Sequence, residues 1–429
     1  MPPHQKTLFD WAPATKRAQR SGTFVDNMQL PVHRWFRYSA GFSAEWVRNL
    51  IRSAAMDGGR VLDPFAGSGT VVLESEQANA ESIGLEAHPF LARIARAKLG
   101  WREPPEALRR RAKQILTTTE STNHGKVAGY PPLIRKCFPD ETLGKLDSLK
   151  HAMEALSGAD PLSELVWLAL VAILRSCSPV GTAQWQYVLP RKSKARSSDP
   201  WEAFERQADG MAHDMAVMQQ RAVRRPGTIH LDDARHCSTV ADGWADLVIT
   251  SPPYANNYDY ADATRLEMCF FGEIARWGDL QSAVREKLVR ACTQHVASYA
   301  DRTQEVIESE TLRPIRGELT EVCAKLQAER ENHGGKKPYH AMIAHYFLDL
   351  SQVWIALRRV TKRGGKVCFV IGDSAPYGVH VPVETWLGEL AIAAGFRGYV
   401  FEKLRDRNTK WKNRKHRVPL QEGRLWVDA

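Results

Sequence analysis

No two cysteines in this 429-residue chain are spaced as CxxC; the seven (Cys137, Cys177, Cys237, Cys269, Cys292, Cys323 and Cys368) lie scattered. That argues against a zinc ribbon or a disulfide framework and suits a reducing compartment. The fourteen histidines show no HxxxH spacing, so no metal-ligand pair is offered on a helix face. There is no GxxxxGK[ST] stretch, which disfavours a P-loop. The longest purely apolar run, Leu165–Leu174, is about half of what a membrane span needs and reads as a buried helix. Residues Met1–Arg20 are polar and lack the apolar centre of a signal peptide; up to about Gly22 they read as a flexible basic arm. No internal repeat or low-complexity tract is present.

What is present is the composition of a folded protein, 43% hydrophobic and 25% charged. A formal charge of +10 favours a polyanionic partner, though it says nothing about fold. A helical pattern over Ser43–Ala54 leads to a short strand, Gly59–Asp63, and the glycine-rich turn Ala66–Thr70. Helix (Val71–Gln77), strand (Ser82–Glu86) and helix (Pro89–Leu99) follow. This βαβα alternation predicts an α/β fold with a mostly parallel sheet. Strand patterns return at Gly227–Asp233, Ala245–Thr250, Lys366–Ile371, Tyr399–Leu404 and Arg424–Val427, with helices over Met342–Val360 and Val383–Ala394. Seven strands are expected, with one antiparallel strand at the end of the sheet. The core is assigned to 23–100, 227–255 and 336–429. Two mainly helical inserts, 101–226 and 256–335, interrupt it, the first being the candidate target-recognition region.

Two turns carry the chemistry. In Asp63-Pro64-Phe65-Ala66-Gly67-Ser68-Gly69-Thr70, small residues after a strand let the backbone approach a ligand closely. Glu86 closes the next strand, at the spacing from which a carboxylate accepts hydrogen bonds from ribose hydroxyls. In Ser251-Pro252-Pro253-Tyr254, two prolines stiffen the chain and withhold two N–H donors beside an aromatic ring. Such a rigid turn, poor in donors, suits a planar base whose amino group must be held by acceptors. Taken alone it serves equally well as a strand-ending turn with a surface tyrosine. The pairing of the two turns decides between these readings.

Together they resemble the motifs of the amino-methylating DNA methyltransferases, in particular the group with a Ser-Pro-Pro-Tyr tetrapeptide. The resemblance implies a Rossmann-like seven-stranded methyltransferase sheet and S-adenosylmethionine as cofactor. Asp63–Thr70, with Asp63, Pro64, Phe65, Gly67, Ser68, Gly69 and Thr70, is similar to the family's cofactor loop. Ser251, Pro252, Pro253 and Tyr254 resemble its catalytic tetrapeptide. The stretch Arg37–Ser43, with Tyr38, Phe42 and Ser43, looks like the segment that closes over the methionine end. Asp233 and Ala234 resemble the strand end that meets the adenine. The likeness covers roughly 30–100, 227–260 and 340–428 and leaves both inserts unexplained.

A serine at the head of the tetrapeptide is commoner in enzymes acting on cytosine N4 than on adenine N6. No Pro-Cys pair exists, which disfavours methylation at cytosine carbon 5. The implied activity is site-specific methylation of double-stranded DNA on a flipped-out base. Alternatives are adenine N6, a guanine amine in RNA, or a DNA-binding module without catalysis. A cognate restriction endonuclease or other defence protein is an expected partner, in a cytoplasmic, prokaryotic or phage-encoded setting away from membranes. Many Ser-Pro-Pro-Tyr enzymes place the tetrapeptide before the cofactor loop; here the loop comes first. For DNA contact the basic stretch Lys403, Arg405, Arg407, Lys410, Lys412, Arg414, Lys415 and Arg417, interleaved with Trp411 and His416, is the leading candidate. Gln184–Tyr187, followed by Arg191, Lys192 and Lys194, is weighed as a second contact and read instead as helix packing. Asn257–Tyr260 are read as pocket rim or its support, and Arg265 with Glu267 as an ordinary helical charge pattern.

Overall fold

A computed structural model describes residues 24–38, 41, 43–54, 58–120, 127–182, 188–194, 196–220, 224–407 and 419–429. The strands are β1 (Arg60–Asp63), β2 (Glu81–Leu85), β3 (Val180–Thr182), β4 (Val188–Ser193), β5 (Thr228–His230), β6 (Ala245–Thr250), β7 (Thr361–Gly372), β8 (Gly398–Arg407) and β9 (Leu420–Asp428). Seven of them form one sheet in the order β5-β2-β1-β6-β7-β9-β8, while β3 and β4 make a separate hairpin inside the first insert. Strands β5, β2, β1, β6 and β7 are parallel neighbours, and β9 runs antiparallel to both β7 and β8. The single antiparallel strand therefore lies one place in from the edge, not at the end of the sheet. Its hydrogen bonds to β7 cover Lys366–Gly372, and β8 adds outside it.

Both faces are covered, as a parallel sheet requires. Alternate residues point to opposite sides. Val61, Leu247, Ile249, Cys368 and Val370 pack with Trp46, Val47 and Ile51 of helix α1 (Ala44–Ser53). Leu62, Val248, Val367 and Phe369 pack on the other side with the long helix Tyr339–Val360. There Trp354 stacks on Phe369 at 4.5 Å. Helices α2 (Thr70–Gln77) and α3 (Pro89–Leu99) complete the βαβα unit. Gly84 in β2 is required by close packing, because an added Cβ would sit 2.6 Å from Ile229 Cδ1 and 2.9 Å from both Ala66 and Val72.

The first insert packs onto the core through the expected buried helix, here Pro161–Cys177, whose Leu165–Val171 segment is wholly buried. A second tie is Asp214, fully buried on the helix Pro200–Met218. It accepts the Val32 N–H at 3.2 Å and the Trp35 indole N–H at 2.9 Å, and it pairs with Arg34. The second insert is built of short helical turns and one longer helix, Arg316–Arg330.

Replacing Gly84 with alanine is expected to destabilise the fold by about 1–3 kcal/mol through overpacking. Urea denaturation checks this; an unchanged midpoint would show that β2 and β5 yield without strain.

Candidate active site

Strands β1 and β6 are direct neighbours in register, Val61 beside Leu247 and Leu62 beside Val248. The turns that follow them therefore leave the same carboxyl edge of the sheet, where such folds bind ligands. A hydrogen bond joins the two turns at their roots: the Thr250 hydroxyl donates to Asp63 Oδ1 at 2.6 Å. The same oxygen accepts the Phe65 N–H at 3.0 Å. Burial pushes the Asp63 carboxyl up to about 7, against the pull of these two donors.

Beyond Asp63 the chain turns sharply. Gly67 and Gly69 have φ of +52° and +86°, a region that glycine adopts without cost. An added Cβ on Gly67 would lie 2.9 Å from Tyr38 Cε1, so the loop backbone is flush against that ring. The Gly67 N–H donates to Glu86 Oε2 at 2.7 Å, and the His88 N–H to Glu86 Oε1 at 2.8 Å. With the Ala87 N–H as a third backbone donor, the two oxygens still keep part of their acceptor capacity. Burial raises the Glu86 carboxyl to about 7; the His88 and Gly67 N–H groups oppose the shift, and nearby Asp63 adds to it.

On the β6 side, the Ser251 hydroxyl donates to the Val370 carbonyl of β7 at 3.1 Å. Its only proton is thereby committed, leaving its oxygen as an acceptor. The Tyr254 ring lies beneath the Arg407 guanidinium, 5.2 Å from the ring centroid. Arg407 also donates to the Asp373 carbonyl at 3.0 Å, and Gly372 leaves it room, since a Cβ there would meet its Nη1 at 2.6 Å. Burial raises the Tyr254 phenol well above its ordinary value, so it stays protonated.

One cleft spans both turns, enclosing about 640 Å3 with open solvent included. Tyr38, Pro64, Phe65, Gly67 and Glu86 line one part of it, Ser251, Pro253 and Tyr260 another, and Asp233 and Ala234 a third. Gly67 and Pro253, far apart in sequence, therefore face a common space.

The sequence model of the N6/N4 methyltransferase family, described as DNA methylase, matches residues 4–97. Among curated proteins, the Type II methyltransferase M.BsoBI of Geobacillus stearothermophilus is 26% identical over 432 residues, covering 90% of this chain and 82% of its own. The Type II methyltransferases M.AvaI of Nostoc sp. and of Anabaena variabilis are each 25% identical over 407 residues, covering 87% of this chain and 81% of theirs. The chain thus resembles the amino-methylating DNA methyltransferases, through the family model over its first part and through these relatives over most of its length.

Not every residue expected at the site faces the cleft. Ser68 and Thr70 are buried within the loop and its helix but do not line the space, and neither does Pro252 or Tyr254. Ser43 instead caps α1, its hydroxyl accepting the Trp46 N–H at 3.3 Å. Phe42 lies outside the described residues. Asp233 lines the cleft, but its carboxylate is engaged by Arg235, whose Nε lies 2.9 Å from Oδ2. Of the basic stretch, Lys403 falls in the expected strand, while Arg405 and Arg407 extend that strand as β8, because pairing with β9 continues to Arg407. Lys403 pairs with Asp406, and Arg405 with buried Glu422 at 2.8 Å. Lys410, Lys412, Arg414, Lys415 and Arg417 lie outside the described residues, as do Gln184–Tyr187.

Several contributors carried no local signal. Ala87, His88 and Leu91 follow Glu86 and line the cleft, as do Lys287, Leu288 and Val289 of the second insert. His88 is buried, its Nε2 2.9 Å from the Thr264 hydroxyl, and burial lowers its imidazole to about 3, so it is neutral. Glu267 is buried and gripped by Arg175 of the first insert at 2.5 and 3.0 Å, which is more than a helical charge pattern. Asp259 is pinned by Arg285 at 2.7 and 3.1 Å and accepts the Ala261 N–H, which shapes the turn that brings Tyr260 to the cleft.

The raised value of Asp63 has a consequence for stability. As pH rises, the unfolded chain releases this proton near 3.8, while the folded chain retains it to about 7. Its contribution is complete below about pH 4 and is lost as pH rises towards 7, by up to about 1.4 kcal/mol per pH unit. The variant Asp63→Asn should therefore lose less stability than the parent between pH 4 and 7 in denaturant titrations. Parallel profiles would mean that Asp63 is already ionised throughout.

Proposed function

We propose that this methyltransferase uses S-adenosylmethionine to methylate an exocyclic base amine in double-stranded DNA, with cytosine N4 the favoured target. The observation that carries the reading is the shared cleft, in which Gly67 and Glu86 meet Ser251 and Pro253. The residues present fit the cofactor. Glu86 retains acceptor capacity for ribose hydroxyls, Gly67 and Gly69 present backbone without a side chain, and Tyr38 walls the loop. Asp233 and Ala234 line the same cleft and are assigned to the adenine. When bound, the cofactor supplies an electrophilic methyl group on a cationic sulfur.

A base amine is a poor nucleophile because its lone pair is delocalised into the ring. The Ser251 oxygen, its proton held by Val370, accepts one amine N–H, and the Pro252 carbonyl accepts the other. Drawing both N–H bonds out of conjugation localises the lone pair towards the methyl, and the methylated amine then releases one of these two protons to solvent. No side chain forms a covalent bond; positioning and fixed dipoles supply the rate. The amine is out of reach inside a duplex, so the nucleotide is extruded, and Tyr254 stacks on it once Arg407 is displaced from its ring. The serine at the head of the tetrapeptide supports cytosine N4 over adenine N6. The likeness to Type II methyltransferases supports a restriction–modification role, with a cognate endonuclease as partner.

Incubation with labelled cofactor and mixed-sequence DNA, followed by mass spectrometry of the nucleosides, should yield N4-methylcytosine. N6-methyladenine would overturn the cytosine assignment alone. Cofactor binding without transfer to any DNA would leave a DNA-binding module. The variant Tyr254→Ala should reduce turnover by roughly a hundredfold, about 2.7 kcal/mol, with cofactor affinity unchanged. Equal loss of both would make Tyr254 a structural residue.

A further inference from the structure

Six non-glycine residues have clearly positive φ among the described residues, and three of them gather on one side of the tetrapeptide turn: Asn257 (+63°), Lys336 (+38°) and Tyr377 (+51°). Such strain persists only where the surroundings over-determine it, and it clusters at functional surfaces. The restraints here are visible. The Ser374 hydroxyl donates to the carbonyl of Ala255, the residue after Tyr254, and so fixes the loop that carries Tyr377 against the base-holding turn. The Tyr377 ring stacks on His333, centroids 4.2 Å apart and planes within 10°. Its hydroxyl accepts the Lys337 N–H at 2.8 Å. The backbone of Lys336 and Lys337 is thereby propped beside the tetrapeptide with both side chains exposed.

The charges on this prop are available. Among the described residues no carboxylate lies within ion-pair reach of the Lys337 ammonium. Lys336 meets only the exposed Glu331, and exposed pairs of this kind are worth little and exchange readily for another anion. Nothing in the cofactor cleft uses either lysine.

We propose that Lys336 and Lys337, held by the His333–Tyr377 stack, form a contact surface for the phosphodiester backbone of duplex DNA next to the extruded nucleotide. The backbone part of the ordering cost is met in the free protein, since these turns already hold the main chain of both lysines beside the turn that receives the base. Phosphate contacts set register without reading sequence. This surface therefore anchors the strand, and sequence is read elsewhere. The inference rests on the proposed reading as a DNA methyltransferase.

The test is fluorescence anisotropy of the full-length protein with a labelled mixed-sequence duplex over a salt series. For Lys336→Ala/Lys337→Ala, binding should weaken to a similar degree on every sequence. The slope of log affinity against log salt should fall by about 2, and by about 1 for Lys337→Ala alone. Lys336→Arg/Lys337→Arg should restore the slope, which a merely structural role would not require. Cofactor affinity and melting temperature should match the parent. An unchanged slope in a folded double variant, while the parent still methylates the same DNA, overturns the surface and leaves the enzyme reading intact. A parent that binds cofactor but neither binds nor methylates DNA overturns both.

Discussion

The adjacency of β1 and β6 is the constraint on which the site depends. Their parallel register brings Asp63 and Thr250 to the same edge, and the short bond between these side chains sets the distance between the two turns. Asp63 is nearly inaccessible to water, so an unpaired carboxylate there would be costly. The Thr250 hydroxyl and the Phe65 N–H meet that demand, and each belongs to one of the two turns. The polar group that is hardest to bury is thus used to hold the glycine loop and the tetrapeptide together. Ser251 extends the arrangement one strand further through the Val370 carbonyl, so the tetrapeptide is tied on both sides to neighbouring strands.

The loop and the tetrapeptide were legible because their signals are local. A strand ending in Asp63, a turn needing glycines at positive φ, and Glu86 closing the next strand lie within one βαβ unit. The tetrapeptide follows an apolar strand directly. What was not legible depends on pairings across long separations. The insertion of β9 between β7 and β8 is decided by hydrogen-bond partners rather than by either strand's pattern. That same pairing carries the strand past Leu404 to Arg405 and Arg407, whereas their charge alone suggests a loop. The burial of Glu267 depends on Arg175, ninety-two residues away, and no spacing rule reaches so far. Ser43 looked like a ligand residue by its place in a motif, but a serine immediately before a helix has a simpler use as its cap.

Lys287, Leu288 and Val289 form part of the cleft although they belong to the second insert, away from both motifs. Their placement follows from a buried cluster. Asp349, fully buried on the helix Tyr339–Val360, accepts the Arg290 N–H and Nε, each at 2.9 Å, and also pairs with Arg235 at 3.3 Å. Arg235 in turn grips Asp233 and donates to the Lys287 carbonyl at 3.3 Å. One buried carboxylate therefore links the strap 287–289, the strand end carrying Asp233, and a helix that covers the sheet.

Such a cluster is a poor source of net stability, because desolvating its charges offsets most of their attraction. Its effect is on position. Pulling the strap away would strand Asp349 with fewer donors in a low-dielectric interior, an outcome costing several kcal/mol when a buried pair loses one partner. The strap therefore moves with the strand end at Asp233 or not at all, and the second insert is built into the wall of the cleft. Arg285, buried against Asp259 and stacked under Trp277 at 4.0 Å, repeats the device two residues before Lys287. With one charged anchor before the strap and another just after it, the segment is held at both ends. Its apolar middle, Leu288 and Val289, is thereby presented to the cleft as a fixed surface and not as a mobile cover.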